Sequence, residues 1–190
     1  MLTQKAKELI EKSRIVSFGS WQHDPPTIIA IFQQADDESR YLTDEEMAQI
    51  TKIAPELENS LQQAQLLRDN ATEIIDRARG EVLAAYPQIT EPGGGLYPLI
   101  RAEACWRDFW HFLRCISYGV AGKTTNYTSD RGLAYMEELY QEMQVPLDAM
   151  VLGLKNLKVY ALKQFDQSQA QDLVPYFDHL IERMEKFTTL

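Results

Sequence analysis

The chain has 190 residues, 45% of them hydrophobic and 10% aromatic, enough for one domain with a buried core. Its 28 acidic and 19 basic residues leave a formal net charge of −9, which excludes binding to a nucleic-acid backbone as the main task, because such sites need a basic footprint. Two cysteines, Cys105 and Cys115, exclude a disulfide scaffold and a four-cysteine zinc site. No apolar run approaches the roughly 18 residues of a membrane span. The start, MLTQKAKELIEKSR, lacks the apolar core of a signal peptide. A soluble protein without membrane insertion is expected.

In chain order, Lys5 to Ser13 reads as a short amphipathic helix with Leu9 and Ile10 on one side. SFGSWQHDPP breaks it, since two successive prolines remove amide donors and disfavour helix before them. A second short helix is expected from Thr27 to Gln34. Thr43-Asp44-Glu45-Glu46 has the form of a capping box, and Met47, Ile50 and Ile53 make the stripe of the helix it starts. Pro55 restarts a helix carrying Leu57, Leu61, Ala64 and Leu67 at near-helical spacing. Ala71 to Ala85 continues with Ile74, Ile75, Ala78 and Val82 on one face.

PQITEPGGG, from Pro87 to Gly95, is the strongest breaker and is expected to be an exposed turn. Ile100 to Val120 is a long, mostly apolar helix. After a polar loop from Gly122 to Ser129, further helices are expected over Asp130 to Met143 and Val145 to about Phe165. Asp166 to Asp172 reads as a polar connection, and Leu173 to Phe187 as a closing amphipathic helix. No alternating strand pattern and no repeat is present. The reading is one all-α unit with two short helices in front.

On the long helix, Cys105, Asp108 and Phe112 fall at i, i+3 and i+7, one face. Arg101 lies one turn before the cysteine, and Arg107 is adjacent to Asp108. Trp106, Phe109, Trp110, His111 and Tyr118 surround them. A buried carboxylate needs partners. One reading therefore pairs Asp108 with Arg107 or Arg101 and makes Cys105 a small core hydrophobe. Cys115, ten residues on and about 100° round the helix, is expected to pack in the core. His23 and His179 read as surface or loop histidines. Haem ligation by His111 is a weaker alternative. No phosphate loop, nucleophile elbow or metal spacing is present, so no enzymatic activity is expected.

The strings YLTDEEM, PGGGLY, AEACWRDFWHFLRCISYGVAGK, VPLDAMVLGLKNLK and PYFDHLIERM occur in this order. In them the chain resembles the phycobiliproteins, in the allophycocyanin branch and closest to its α-type subunits. The matching positions are Cys105, Arg107-Asp108, Leu113-Arg114, Tyr118-Gly119 and Ala121-Gly122, and the likeness runs from about Asp36 to Met184. It implies a globin-like helical fold preceded by two extra N-terminal helices. It also implies an open-chain tetrapyrrole, phycocyanobilin, joined by a thioether to Cys105. Asp108 would accept hydrogen bonds from the inner pyrrole N–H groups, Arg107 would pair with one propionate and Arg101 with the second, and Tyr118 would pack at the pocket. A carboxylate beside a cationic pigment and guanidinium forks on propionates are chemically apt.

Trp106, Trp110 and His111 depart from the family's usual residues, as do Gly95-Leu96, Lys123 and the longer N-terminus. Trp110 and His111 join the pigment pocket on this reading, and the two tryptophans, Trp106 and Trp110, would either tune the pigment or fill its place. Residues 1–35 would form an extension whose helices cover a partner subunit with Leu9, Ile10, Ile28, Ile29, Ile31 and Phe32, and residues 36–190 the globin-like domain. The implied function is light harvesting and energy transfer in the phycobilisome. The implied partners are phycobiliprotein subunits and core or linker proteins, at the cytoplasmic face of thylakoid membranes. The alternative is a divergent regulatory or interaction protein in bilin synthesis, pigment handling or phycobilisome turnover, binding bilin loosely or not at all.

Overall fold

The computed structural model describes residues 2–21 and 25–188. Among them nine α-helices follow one another: α1 Gln4–Lys12, α2 Pro26–Asp37, α3 Asp44–Ile53, α4 Glu58–Asp69, α5 Ala71–Ala85, α6 Leu99–Ala121, α7 Asp130–Met143, α8 Leu147–Leu162 and α9 Gln167–Met184. The strand-like feature of the described residues is one antiparallel bridge between Val16 and Thr128. The class is all-α, as the sequence pattern predicts.

Local chemistry sets the ends. The Thr43 hydroxyl accepts from the Glu46 N–H, and the Glu46 carboxylate accepts from the Thr43 N–H at 2.9 Å, completing the capping box of α3. Asp166 accepts from the Gln169 N–H at 2.9 Å, so α9 begins at Gln167. The stretch expected as a polar connection is therefore its first turns, polar because that face meets water. The breaker from Pro87 to Gly95 is anchored and not wholly exposed. Ile89 and Leu96 are buried, and the Leu96 N–H donates to the Ile89 carbonyl at 2.8 Å.

Helix α6 is central, with α4, α5, α8 and α9 packed against it. From Phe112 to Ala121 every residue is buried, as suits a helix surrounded by others. The polar members of that run are bonded: Arg114 Nη1 donates to Asp36 at 2.8 Å, and the Ser117 hydroxyl donates to the Arg114 carbonyl at 2.7 Å. The first half of α6 is open on one side, with Leu99 60% and Ile100 72% exposed.

The N-terminal segment folds onto this body. Helix α1 lies on α7 and buries Ala6 and Leu9; α2 buries Ile28, Ile31, Phe32 and Ala35. Of the six apolar residues expected to cover a partner, four are thus inside the chain's own core. Ile10 is exposed and Ile29 is half-buried, so the surface left for a partner is narrower than the sequence suggests. The cause is an aromatic cluster absent from simple helix periodicity. Ring centroids of Phe18 and Trp21 lie 5.1 Å apart, Trp21 and Phe32 4.8 Å, and Phe32 and Tyr118 5.9 Å. Burial of each large side chain is worth about 1.5–3 kcal/mol. His179 sits on α9, half-buried and bonded to the Thr128 hydroxyl at 2.7 Å, and so is not a loop histidine. His23 lies outside the described residues.

Candidate functional site

One face of α6 carries Arg101, Cys105, Asp108 and Phe112 toward α7, as the i, i+3, i+4 spacing requires. Between α6, α7 and the N-terminal segment lies a cavity of about 510 Å³, within the ~300–1,000 Å³ usual for small-molecule sites. Its α6 wall includes Arg101, Cys105, Arg107, Asp108 and His111, with Phe112, Arg114 and Cys115 further along the helix. Five of the seven expected site residues therefore meet in one space.

Asp108 does not pair with either neighbouring arginine. The Tyr140 hydroxyl of α7 donates to its Oδ2 at 3.1 Å. Arg101 is spent elsewhere: its Nη2 donates to the Met143 carbonyl at 2.7 Å and to the Gln144 carbonyl at 3.1 Å, at the C-terminal end of α7, where carbonyls lack helical partners. Arg107 is exposed. Burial pushes the Asp108 carboxyl up to about 6, against the opposing pull of the Tyr140 hydrogen bond and the Arg107 charge.

The other titratable groups of the wall follow the same logic. Burial, reinforced by the Asp108 carboxylate, raises the Cys105 thiol to about 12. The reactive thiolate is scarce at neutral pH. Burial and the Arg114 and Arg107 guanidiniums lower His111 to about 4, so the imidazole is neutral and can donate from one nitrogen and accept at the other. Among the described residues no group of histidines, cysteines and carboxylates is arranged to hold a metal ion.

Tyr118 and Trp110 do not line this cavity. Tyr118 is buried below it, accepting from Arg114 Nη1 at 2.9 Å and donating to the Arg40 carbonyl. The Trp110 ring stands edge-on to Tyr41, centroids 5.0 Å apart. Trp106 packs on Phe109 at 5.6 Å, with the Arg79 guanidinium over its ring. Neither tryptophan lines the cavity; its aromatic lining is Phe112, His111 and Tyr140.

Sequence reasoning missed Tyr140, Arg14 and Asp36. Tyr140 belongs to the stripe Leu133, Met136, Tyr140 of α7, where a hydroxyl amid apolar residues was the available signal. Asp36 is buried and accepts from Arg114 at 2.8 Å and Arg14 at 2.7 Å. Its place one turn after Phe32, on the apolar side of α2, was the hint.

The donors present fit an open-chain tetrapyrrole. A thiol, a carboxyl with one hydrogen-bond partner, and two guanidiniums face one ligand-sized space. Arg114 Nε is also buried without a partner on the same wall.

Residues 30–184 match the family described as Phycobilisome protein. An allophycocyanin alpha-B chain of a Synechococcus species is 34% identical over 160 residues, which cover 84% of this chain and 98% of that relative. The allophycocyanin alpha-B chain of Porphyra purpurea is 31% identical over 154 residues, 81% and 96% of the two chains. The allophycocyanin alpha chain of Mastigocladus laminosus is 30% identical over 146 residues, 77% and 91%. Phycobiliproteins are light-harvesting proteins and not enzymes; they carry covalent bilins and assemble as oligomers in the phycobilisome. No helix among the described residues is long and apolar enough to cross a membrane. The chain belongs to the phycobilisome protein family, as a divergent allophycocyanin-like member.

Proposed function

We propose that this chain carries a phycocyanobilin-type pigment on Cys105 and passes excitation energy within the phycobilisome. The observation that carries the reading is the shared cavity wall: Cys105, Asp108, Arg101, Arg107 and His111 all face one space of ligand size. The bound tetrapyrrole supplies the conjugated system that absorbs light. Cys105 supplies the sulfur of the thioether. Asp108 accepts from the inner pyrrole N–H groups, and a cationic pigment favours its ionised form. Arg107 and Arg101 bind the propionates with charge-assisted hydrogen bonds; for Arg101 this means sharing or leaving the α7 carbonyls. His111 offers a neutral hydrogen-bonding edge. Tyr118 and Trp110 act at one remove, Tyr118 holding Arg114 of the wall and Trp110 packing on Tyr41 behind it.

The partners on this reading are other phycobiliprotein subunits and core or linker proteins, at the cytoplasmic surface of thylakoid membranes. Residues 36–190 are the pigment-bearing part, and residues 1–35 the extension. The test is the chain made together with bilin synthesis and attachment enzymes, denatured and run on a gel with zinc. A fluorescent band at the chain's mass is expected, and a colourless, non-fluorescent chain overturns the reading.

A further inference from the structure

We infer that the N-terminal segment, residues 2–21, is a built-in wall of the pigment cavity that must lift for Cys105 to be reached. This rests on the reading of the cavity as the pigment site only for the identity of the ligand. The region shared with the family begins at residue 30, so this wall lies outside it. The segment nevertheless contributes Leu2, Ile10, Glu11, Ser13, Arg14 and Ile15 to the cavity lining. With it in place, Cys105 is 5% exposed.

The wall is tied down at several points. Its helix α1 lies on α7. The Ser17 N–H donates to the Tyr127 carbonyl at 2.9 Å, and the Ser129 N–H donates to the Ile15 carbonyl at 2.7 Å. Arg14 reaches Asp36 at 2.7 Å, which in turn holds Arg114 of the opposite wall. Gly132 of α7 permits the closest approach: a Cβ there would lie 1.8 Å from the Arg14 carbonyl oxygen. Alanine at this position favours helix intrinsically by about 1 kcal/mol, so any loosening it causes comes from pushing the segment away.

The experiment measures the rate at which iodoacetamide alkylates the pigment-free chain, with one cysteine at a time retained. Gly132→Ala and Arg14→Ala are compared with the parent, together with their thermal melts. The wall predicts that Cys105 reacts about tenfold faster in either variant, as local opening becomes easier, while the melt stays cooperative. Unchanged Cys105 rates in both variants overturn it. So does loss of the cooperative melt in both variants, because the segment would then hold the whole fold together; Cys115, which lines the same cavity, reports the opening alongside Cys105. Zinc fluorescence of the pigmented chain is read separately, so a missing pigment and a missing wall give different results.

Discussion

The Tyr140 hydroxyl donates to the Asp108 carboxylate at 3.1 Å, joining α7 to α6 at the cavity wall. This bond favours the ionised carboxyl, whereas burial opposes it and wins, leaving the group at about 6. Tyr140→Phe removes the favourable contribution. A hydrogen bond to a charged group is worth roughly 1.5–3 kcal/mol, so the Asp108 midpoint should rise by about one to two units. Carboxyl-carbon NMR of the pigment-free protein checks it; an unmoved midpoint contradicts the bond.

Asp108 and His111 give opposing pH slopes in the pigment-free chain. Asp108 sits at about 6 against an ordinary 3.8, so its contribution is full below the ordinary value and lost as pH rises through about 6. His111 sits at about 4 against 6.5, so its contribution is full above 6.5 and lost as pH falls toward 4. Asp108→Asn should therefore tilt stability upward with pH between 4 and 6.5, and His111→Gln should tilt it downward. The two variants should diverge by about 1–3 kcal/mol over that window. Urea unfolding at several pH values measures it, and parallel slopes refute it.

Phe32 is fully buried between Trp21 and Tyr118. Phe32→Ala should cost about 3–5 kcal/mol, measured by denaturant unfolding. A loss below 1 kcal/mol would mean the N-terminal helices do not belong to this core in solution.

In the pigmented protein, Asp108→Asn should shift the long-wavelength absorption band to the blue and weaken it while pigment stays attached. The carboxylate that favours the charged pigment is then gone. An unchanged spectrum would assign Asp108 a purely structural bond to Tyr140.

Much of this was legible in the sequence because it depended on short-range spacing. The capping box at Thr43, the apolar length of α6 and the shared face of Cys105 and Asp108 are consequences of one helical repeat. What escaped depended on contacts distant along the chain. Tyr140 lies 32 residues from Asp108, and Arg114 lies 78 from Asp36. Adjacent cations suggested an Asp108–Arg pair, yet Arg107 stays exposed and Arg101 bonds the carbonyls at the end of α7. Trp106 and Trp110 flank the site in sequence and turn to α5 and Tyr41, because successive residues of a helix do not share a face. The inward fold of α1 and α2 was hidden because Trp21 and Phe18 lie in a break between helices.

Attachment of the pigment at Cys105 is read directly from tryptic peptides. Trypsin cleavage after Arg101 and Arg107 releases residues 102–107, whose thiol is Cys105, and cleavage after Arg114 and Lys123 releases residues 115–123, whose thiol is Cys115. Mass spectrometry of the digested pigmented chain should find the bilin mass on 102–107 and none on 115–123, with both peptides bare in Cys105→Ala. Pigment on 115–123, or a coloured chain with 102–107 unmodified, would contradict attachment at Cys105.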